Sequence, residues 1–316
     1  MVSGLYFLAG NCYNIYNFVK DVFPLKIKDL FPPKINLTRK GLIKVIRTEL
    51  LILFGIAFLV SAGFLGDYYI KSLKHKKMNQ ELSNMLQVNT GTDSLDDYTN
   101  SDLDETFTLP ENSRYTKVIH PRNNKVMLIQ TEYVDIFNLN PDLVGWLYIP
   151  GTVINYPVVQ SPEWVNYYLT RDFYGKESKY GAIYADEMAS IRNHSDNITI
   201  YGHKMKDGSM FADLHNYSNK SFYDANPIIH FNTIYDNHTY QIFSVFITTA
   251  NEGGFDYHLF VDGTEEEFDN FVNQCKAISL YDTGVDVNYG DKLITLSTCE
   301  HNVANGRYVV VAKQIS

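Results

Sequence analysis

The chain has few cysteines and no cluster of basic residues in its C-terminal half. Among 316 residues only Cys12, Cys275 and Cys299 are cysteines. Because they are odd in number, far apart and without CxxC spacing, we expect neither a disulfide framework nor a cysteine-rich metal site. Contact with phosphate needs a clustered surplus of Lys and Arg, but the chain has 36 acidic and 27 basic residues and a formal net charge of -9. The composition therefore argues against a nucleic-acid partner.

An apolar stretch at residues 50–65 carries no charge and is bounded by Glu49 and Asp67. It approaches the ~20 residues that cross a bilayer, so we expect a single transmembrane helix over residues 49–70. A cleavable signal, suggested by the small residues at 60–62, and a buried helix of a soluble protein are the alternatives. Basic residues flank both ends, so the positive-inside rule does not give the orientation.

The segments on either side of this helix differ in composition. Residues 1–48 are apolar and aromatic, with prolines that interrupt any long helix, and we expect a cytoplasmic or interfacial segment. Residues 71–125 are expected to form a linker. Within them, residues 80–113 carry acidic side chains and neither Lys nor Arg, which predicts an extended, self-repelling chain. An acidic binding segment is the alternative.

From residue 126 to the end, short apolar runs alternate with turn signals. The candidate strands are residues 145–149, 153–159, 182–184, 198–201, 228–231, 239–249, 292–297 and 307–313. About eight short strands are typical of a closed barrel or a sandwich. Helices are predicted at 133–138 and 264–278, and in the second one Phe268, Phe271, Val272 and Cys275 share one face. Cys275 is therefore expected to pack in the core.

Cys299 is the residue best suited to nucleophilic chemistry. It ends the segment Thr295-Leu-Ser-Thr-Cys299, just after a predicted strand. A thiol with a pKa near about 8.5 is only slightly ionised at neutral pH, so a thiol enzyme supplies a base or a cation nearby. Of nine histidines, His203 directly follows an apolar strand and a glycine, where a rigid scaffold can present a side chain. The other histidines lie in polar, turn-like or helical contexts and are given no role.

Arg307 begins the last predicted strand. If that strand pairs with residues 292–297 through a turn containing Asn305-Gly306, the guanidinium lies near Cys299 and can hold a carbonyl and its oxyanion. By itself, an arginine in a surface salt bridge would be the commoner case. A zinc site made of Cys299, His203 and His301 is a rival, but it lacks a fourth ligand and a CxxC pair. We therefore expect no metal.

Taken together, these residues resemble the catalytic motif of class B sortases. Thr295-Leu-Ser-Thr-Cys299, followed by Arg307 and preceded by Tyr201-Gly-His203, looks like the family's ordered His, Cys and Arg. Residues 145–160 and 167–186 resemble its early barrel segments, although Lys204 stands where the family often has Asn. The resemblance covers about residue 130 to the end, and the helix at 264–278 is similar to the one that separates class B from class A.

The resemblance implies a mainly β fold, an eight-stranded sortase-type β-barrel with added helices at residues 126–316, preceded by the single transmembrane helix. It also implies a catalytic domain outside the cell, an extracellular linker at 71–125 and a cytoplasmic N-terminus. No cofactor is implied.

The activity that the resemblance implies is that of a membrane-anchored cysteine transpeptidase. Cys299 would attack the carbonyl of a Thr in the C-terminal sorting motif of a secreted protein and form a thioacyl intermediate. His203 would protonate the leaving amine, and Arg307 would hold the oxyanion. An amine of lipid II or peptidoglycan would then accept the protein.

The resemblance also implies a set of substrate-binding residues: Leu169, Tyr201, Ser297, Thr298, Glu300 and Tyr281. Ser297 and Thr298 could equally be ordinary strand residues. Three other functions remain open: a pilin polymerase that uses a lysine amine, a surface cysteine hydrolase or protease, and an inactive binding module.

Overall fold

A computed structural model of the chain describes residues 39–86, 93–98, 108–161 and 163–316. The chain divides into two compact units, Met1–Tyr69 and Ile70–Ser316. Most of the predicted N-terminal segment, residues 1–48, lies outside the described residues.

Helix α1 spans Arg39–Asn84. It contains a stretch with a mean hydropathy of 2.1, none of which is buried, and by length and composition this helix could cross a membrane. The predicted span at 49–70 falls within it. Large apolar side chains such as Phe54, Phe58 and Phe64 are exposed along it.

The last part of α1, from residue 70 onward, belongs to the second unit and differs from the predicted linker. Ser72, His75 and Leu82 are buried there, and Leu82 belongs to an apolar cluster with Ile136 and Trp146. Ser72 Oγ donates a hydrogen bond to Asp207 over 2.5 Å. Residues 71–84 of the predicted linker are therefore helical and partly packed, and the part predicted to be extended, from residue 80, begins within this helix. Ser72 and His75 are polar, and the apolar residues of the packed side are confined to Met78, Leu82 and Leu86, so the apolar stripe is short.

A hairpin precedes the barrel. Strands β1 (Tyr115–Ile119) and β2 (Val126–Gln130) pair antiparallel. The first of them falls inside the predicted linker, and neither was predicted as a strand.

The second unit is built on a closed eight-stranded barrel with the order β10-β8-β7-β3-β4-β5-β6-β9. Its strands are β3 Leu143–Tyr148, β4 Asn155–Val159, β5 Ile183–Ala185, β6 Asn197–Tyr201, β7 Ile228–Thr233, β8 Thr239–Thr249, β9 Leu293–Glu300 and β10 Gly306–Gln314. Each predicted strand corresponds to one of them, and the predicted barrel is confirmed. The pairs β4–β5 and β6–β9 are parallel, whereas the other pairings of the barrel are antiparallel.

Helices cover parts of the barrel. These are α2 Val134–Leu139, α3 Lys220–Ala225 and α4 Glu265–Ala277, with short 3-10 helices that include Tyr167–Thr170, Ala212–Ser218 and Tyr257–Leu259. Thr264 and Glu267 form a capping box at the start of α4, which satisfies backbone N–H groups that the helix leaves free. The predicted apolar face of α4 is buried, and Cys275 lies within it.

Candidate active site

Strand pairing brings the predicted catalytic residues to one rim of the barrel. Because β6 and β9 are parallel, with Tyr201 opposite Ser297, their carboxyl ends meet. Strand β10 runs antiparallel to β9 and places Arg307 directly across from Cys299. His203 follows β6 by two residues. The rim therefore carries a thiol, an imidazole and a guanidinium from three neighbouring elements.

A cavity of about 300 Å³ opens at this rim, and Cys299, His203 and Arg307 all line it. Its other lining residues are Asn166, Leu169, Tyr184, Tyr201, Gly202, Thr249, Ala250, Phe255, Asp256, Tyr257, His258, Ser297 and Thr298. The three catalytic candidates thus share one solvent-accessible space.

Cys299 is a free, half-buried thiol. Strand β9 continues through it to Glu300, so the thiol lies within the strand rather than just after its end as predicted. The connection to β10 is tight. Asn305 has a left-handed φ of 52°, and a Cβ on Gly306 would lie 2.6 Å from the carbonyl oxygen of Glu300. The Asn-Gly pair therefore fits this turn for the steric reason expected from the sequence.

The same turn orients Arg307. Its Nη1 donates to the carbonyl oxygens of Asn305, at 3.2 Å, and Gly306, at 3.0 Å. One end of the planar guanidinium is therefore fixed by backbone acceptors, and its charge lies beside the cavity.

His203 is held on two sides. Its Nε2 lies 2.7 Å from the carbonyl oxygen of Leu169, and since a carbonyl can only accept, Nε2 carries the proton of this bond. The backbone oxygen of His203 accepts from the amide of Phe211 at 2.9 Å. The close approach of Leu169 depends on Gly181, where an added Cβ would lie 2.7 Å from the Leu169 oxygen. This arrangement leaves Nδ1 as the ring nitrogen that can exchange a proton with a substrate.

Tyrosine hydroxyls surround the cavity and remain protonated. Burial raises the pKa of Tyr184, Tyr201 and Tyr257 above the ordinary value of 10. The hydroxyl of Tyr201 donates to Asp186 at 2.9 Å, and Tyr257 contacts Ser297 Oγ at 2.5 Å. These side chains supply neutral hydrogen-bonding groups. Within the described part of the chain, Asp256 is the one carboxylate that lines the cavity.

Four of the predicted substrate-binding residues line the cavity: Leu169, Tyr201, Ser297 and Thr298. The other two, Glu300 and Tyr281, do not. Successive side chains of a strand point to opposite faces, so Glu300 is directed away from the side of Cys299 and is only 5% exposed. Tyr281 donates to the carbonyl oxygen of Tyr217 at 2.7 Å instead.

One wall of the cavity was missed in the sequence. It comes from the end of β8 and the segment before α4, with Thr249, Phe255, Asp256 and His258 among its residues. The sequence contains no direct signal for this wall. In the structure Thr248 pairs with Arg307 across β8 and β10, which brings the end of the long strand β8 to the rim that carries Cys299.

No three His, Cys, Asp or Glu side chains form a metal-type group in the described part of the chain. The rival zinc set of Cys299, His203 and His301 is therefore not assembled.

Comparison with known proteins gives one consistent family. A protein-family model described as "Sortase domain" matches residues 147–315. Sortase B of Listeria monocytogenes is 36% identical over 191 residues, which is 60% of this chain and 76% of the relative. A Staphylococcus aureus sortase B–substrate complex has a TM-score of 0.55 and 32% identity, covering 60% of this chain and 86% of that one. Sortase B from B. anthracis in complex with AAEK1, at 24% identity, shares the fold with a TM-score of 0.59, covering 78% of this chain and 99% of that one.

Proposed function

The chain belongs to the sortase family, in class B, and on that premise we propose that it joins secreted proteins to a cell-wall amine through a thioacyl intermediate on Cys299. The transpeptidase class follows from the family. The cleavage after Thr, the acceptor and the roles of individual residues are the proposal.

The proposed reaction has two halves. Cys299 gives its thiol proton to Nδ1 of His203 as its sulfur attacks the carbonyl carbon of a threonine in the sorting motif. Arg307 stabilises the negative charge that develops on the carbonyl oxygen. The C–N bond then breaks, and the leaving amine takes a proton from Nδ1 of His203. In the second half, the acceptor amine attacks the thioester carbonyl and gives a proton to Nδ1 of His203. The C–S bond then breaks, and His203 returns this proton to the departing sulfur, which frees the thiol.

The observation that carries this proposal is the pairing of Cys299 with Arg307 across β9 and β10, with His203 on the wall of the same cavity. Among the residues that the structure describes, Arg307 is the one Arg or Lys that lines it. An oxyanion that forms on a carbonyl attacked by Cys299 would therefore develop beside a single fixed cation.

The protein's partners and its location in the cell are also proposed, from its similarity to relatives and from its composition. The Staphylococcus aureus relative has been seen in a sortase B–substrate complex, which supports proteins with a sorting signal as substrates here. Helix α1 supports a membrane anchor at residues 49–70, with residues 1–48 in the cytoplasm and the catalytic domain, from residue 126, outside the cell. Lipid II or a peptidoglycan amine would be the acceptor.

The test is intact-mass analysis of the full chain in detergent micelles, incubated with a library of short threonine-containing peptides. We expect a thioacyl adduct on Cys299 and none in the variant Cys299→Ala. Cys275→Ala is the matched control, because that thiol is buried in the core and should not affect adduct formation. The absence of any adduct, or an adduct that persists in Cys299→Ala, contradicts the proposal.

The acceptor is identified in the same system. A glycine-peptide amine, a lysine side-chain amine and water are offered to the acyl-enzyme in turn. Transfer to the glycine amine supports wall anchoring. A product formed only with lysine indicates a pilin polymerase, and a product formed only with water indicates a hydrolase.

A further inference from the structure

We propose that the buried contact between Glu300 and His215 positions the catalytic groups, because it joins the β9–β10 hairpin to the segment that follows His203. The inference rests on the proposed function, since it concerns the reaction of Cys299. It replaces the expectation that Glu300 contacts substrate.

Glu300 is held by two donors. One carboxylate oxygen accepts from Nε2 of His215 at 3.0 Å, and the other accepts from the backbone N–H of Asn302 at 2.8 Å. The amide of Asn302 is the largest cause that lowers the pKa of Glu300, so the side chain is an anion at neutral pH. Asn302 lies in the connection between β9 and β10. Glu300 therefore ties this turn to a side chain outside the hairpin.

His215 links the contact to the histidine side of the cavity. It lies in the 3-10 helix Ala212–Ser218, which begins directly after Phe211, the residue whose amide donates to the His203 carbonyl. Burial lowers the pKa of His215, and the charge of Lys204 acts in the same direction. The ring is therefore neutral near pH 7 and donates through Nε2.

The His215 ring also contacts the strand that carries Arg307. It stacks on Tyr308 with a centroid distance of 4.4 Å. Side chains alternate between the two faces of a strand. The side chain of Tyr308 is therefore on the other face of the hairpin from that of Arg307, and the side chain of Glu300 is on the other face from that of Cys299. His215 therefore contacts both strands of the hairpin from the side opposite the two catalytic side chains.

Stabilisation of the fold alone does not explain the buried contact of His215 with Glu300 and Tyr308. The remaining ring nitrogen of His215 and the hydroxyl of Tyr308 are both buried without a hydrogen-bond partner among the described residues. Unsatisfied buried polar atoms are unfavourable, and well-packed apolar residues often replace a buried charged contact at no loss of stability. A polar contact that links the carriers of all three catalytic residues is instead expected to set their geometry.

The experiment measures single-turnover formation of the acyl-enzyme by the full chain in detergent micelles, with a peptide that acylates the wild type. Displacements of about 1 Å can lower rates about 100-fold, so we expect Glu300→Ala and His215→Ala each to lower the acylation rate constant by about tenfold or more. The peptide concentration at half-maximal rate should not change, because neither side chain lines the cavity. The double variant should be no slower than the worse single variant, since both remove one contact.

Two further variants separate positioning from general destabilisation. Glu300→Gln should restore most of the rate, because its carbonyl oxygen can accept from Asn302 and its amide can donate to the other tautomer of His215. Thr295→Val is the matched control. Thr295 lies on β9, as Glu300 does, and this variant removes its buried hydrogen bond of 2.8 Å to Asn197 of β6. It should lower the melting temperature without lowering the rate constant.

The outcomes distinguish the inference from the proposed function. If the wild type forms no acyl-enzyme with any peptide, the proposed function fails and the inference fails with it. If the wild type reacts and Glu300→Ala and His215→Ala react equally fast, only the inference is overturned. It is also overturned if Thr295→Val slows the reaction as much as they do, or if the variants change only the half-maximal concentration.

Discussion

Replacement of Arg307 tests its proposed role in stabilising the developing oxyanion. The guanidinium is fixed by two backbone carbonyls that both accept from Nη1, which leaves Nε and Nη2 as possible donors to a substrate. Loss of one oxyanion donor costs about 3 kcal/mol of transition-state stabilisation. At about 1.4 kcal/mol for each factor of ten, Arg307→Ala should slow acylation of Cys299 roughly 100-fold.

Arg307→Lys should give an intermediate rate. An ammonium keeps the positive charge but lacks the planar fork that can contact the backbone carbonyls and the substrate oxygen at once. The assay is single-turnover acylation followed by quenching and mass analysis over a range of peptide concentrations, so that the rate constant is separated from binding. Arg171→Ala is the control, because Arg171 lies over the ring of Tyr167 and does not line the cavity. A rate for Arg307→Ala within about threefold of the wild type would refute the oxyanion role.

Two further predictions concern the wider domain. Burial lowers the pKa of His75 from 6.5 to about 4. As the pH falls, the imidazole of the unfolded chain therefore takes up a proton before that of the folded chain does. The free energy of unfolding of the wild type should fall by about 3 kcal/mol as the pH drops from 6.5 toward 4. The test is the difference in unfolding free energy between the wild type and His75→Gln, measured in detergent. This difference should be smaller at pH 4.5 than at pH 7, and a difference that does not change with pH contradicts the prediction. Asp256→Asn should lower transfer to a cationic amine relative to hydrolysis by about two- to fivefold, as for an exposed charge pair, and leave acylation unchanged. The measurement is the ratio of transfer product to hydrolysis product, and Glu252→Gln, on the same loop, is the control. Equal ratios in the two variants would show that Asp256 does not attract the acceptor.

Local pattern was sufficient for the eight barrel strands and for one side of the site, but not for β1 and β2. The β8 strand was predicted with its observed ends, Thr239–Thr249, because turn signals bound it on both sides. The proximity of Cys299 and Arg307 also followed from the sequence, since a hairpin with an Asn-Gly turn needs only a few residues. In both cases the physical determinants lie within one short segment.

Contacts between distant segments were not predictable in this way. The parallel pairing of β6 with β9, which brings His203 to the thiol, joins strands separated by β7, β8 and α4, and only the resemblance to a family supplied it. The packing of residues 70–84 was missed because it combines polar contacts, such as that between Ser72 and Asp207, with a short apolar stripe that includes Leu82. Glu300 was predicted to bind substrate because it is adjacent to Cys299 in sequence, whereas strand geometry separates the two side chains and Glu300 does not line the cavity.

The three candidate catalytic side chains are held by two sets of contacts. The β9–β10 hairpin fixes the sulfur and the guanidinium together, because Cys299 and Arg307 are cross-strand partners. The imidazole depends on other contacts, namely the Leu169 carbonyl and the Phe211 amide. Changes in the hairpin should therefore affect attack and oxyanion stabilisation at once, whereas changes around His203 should affect delivery of the proton to the leaving amine. The Glu300–His215 contact links the two supports, and this is why it is the position where one substitution is expected to disturb both.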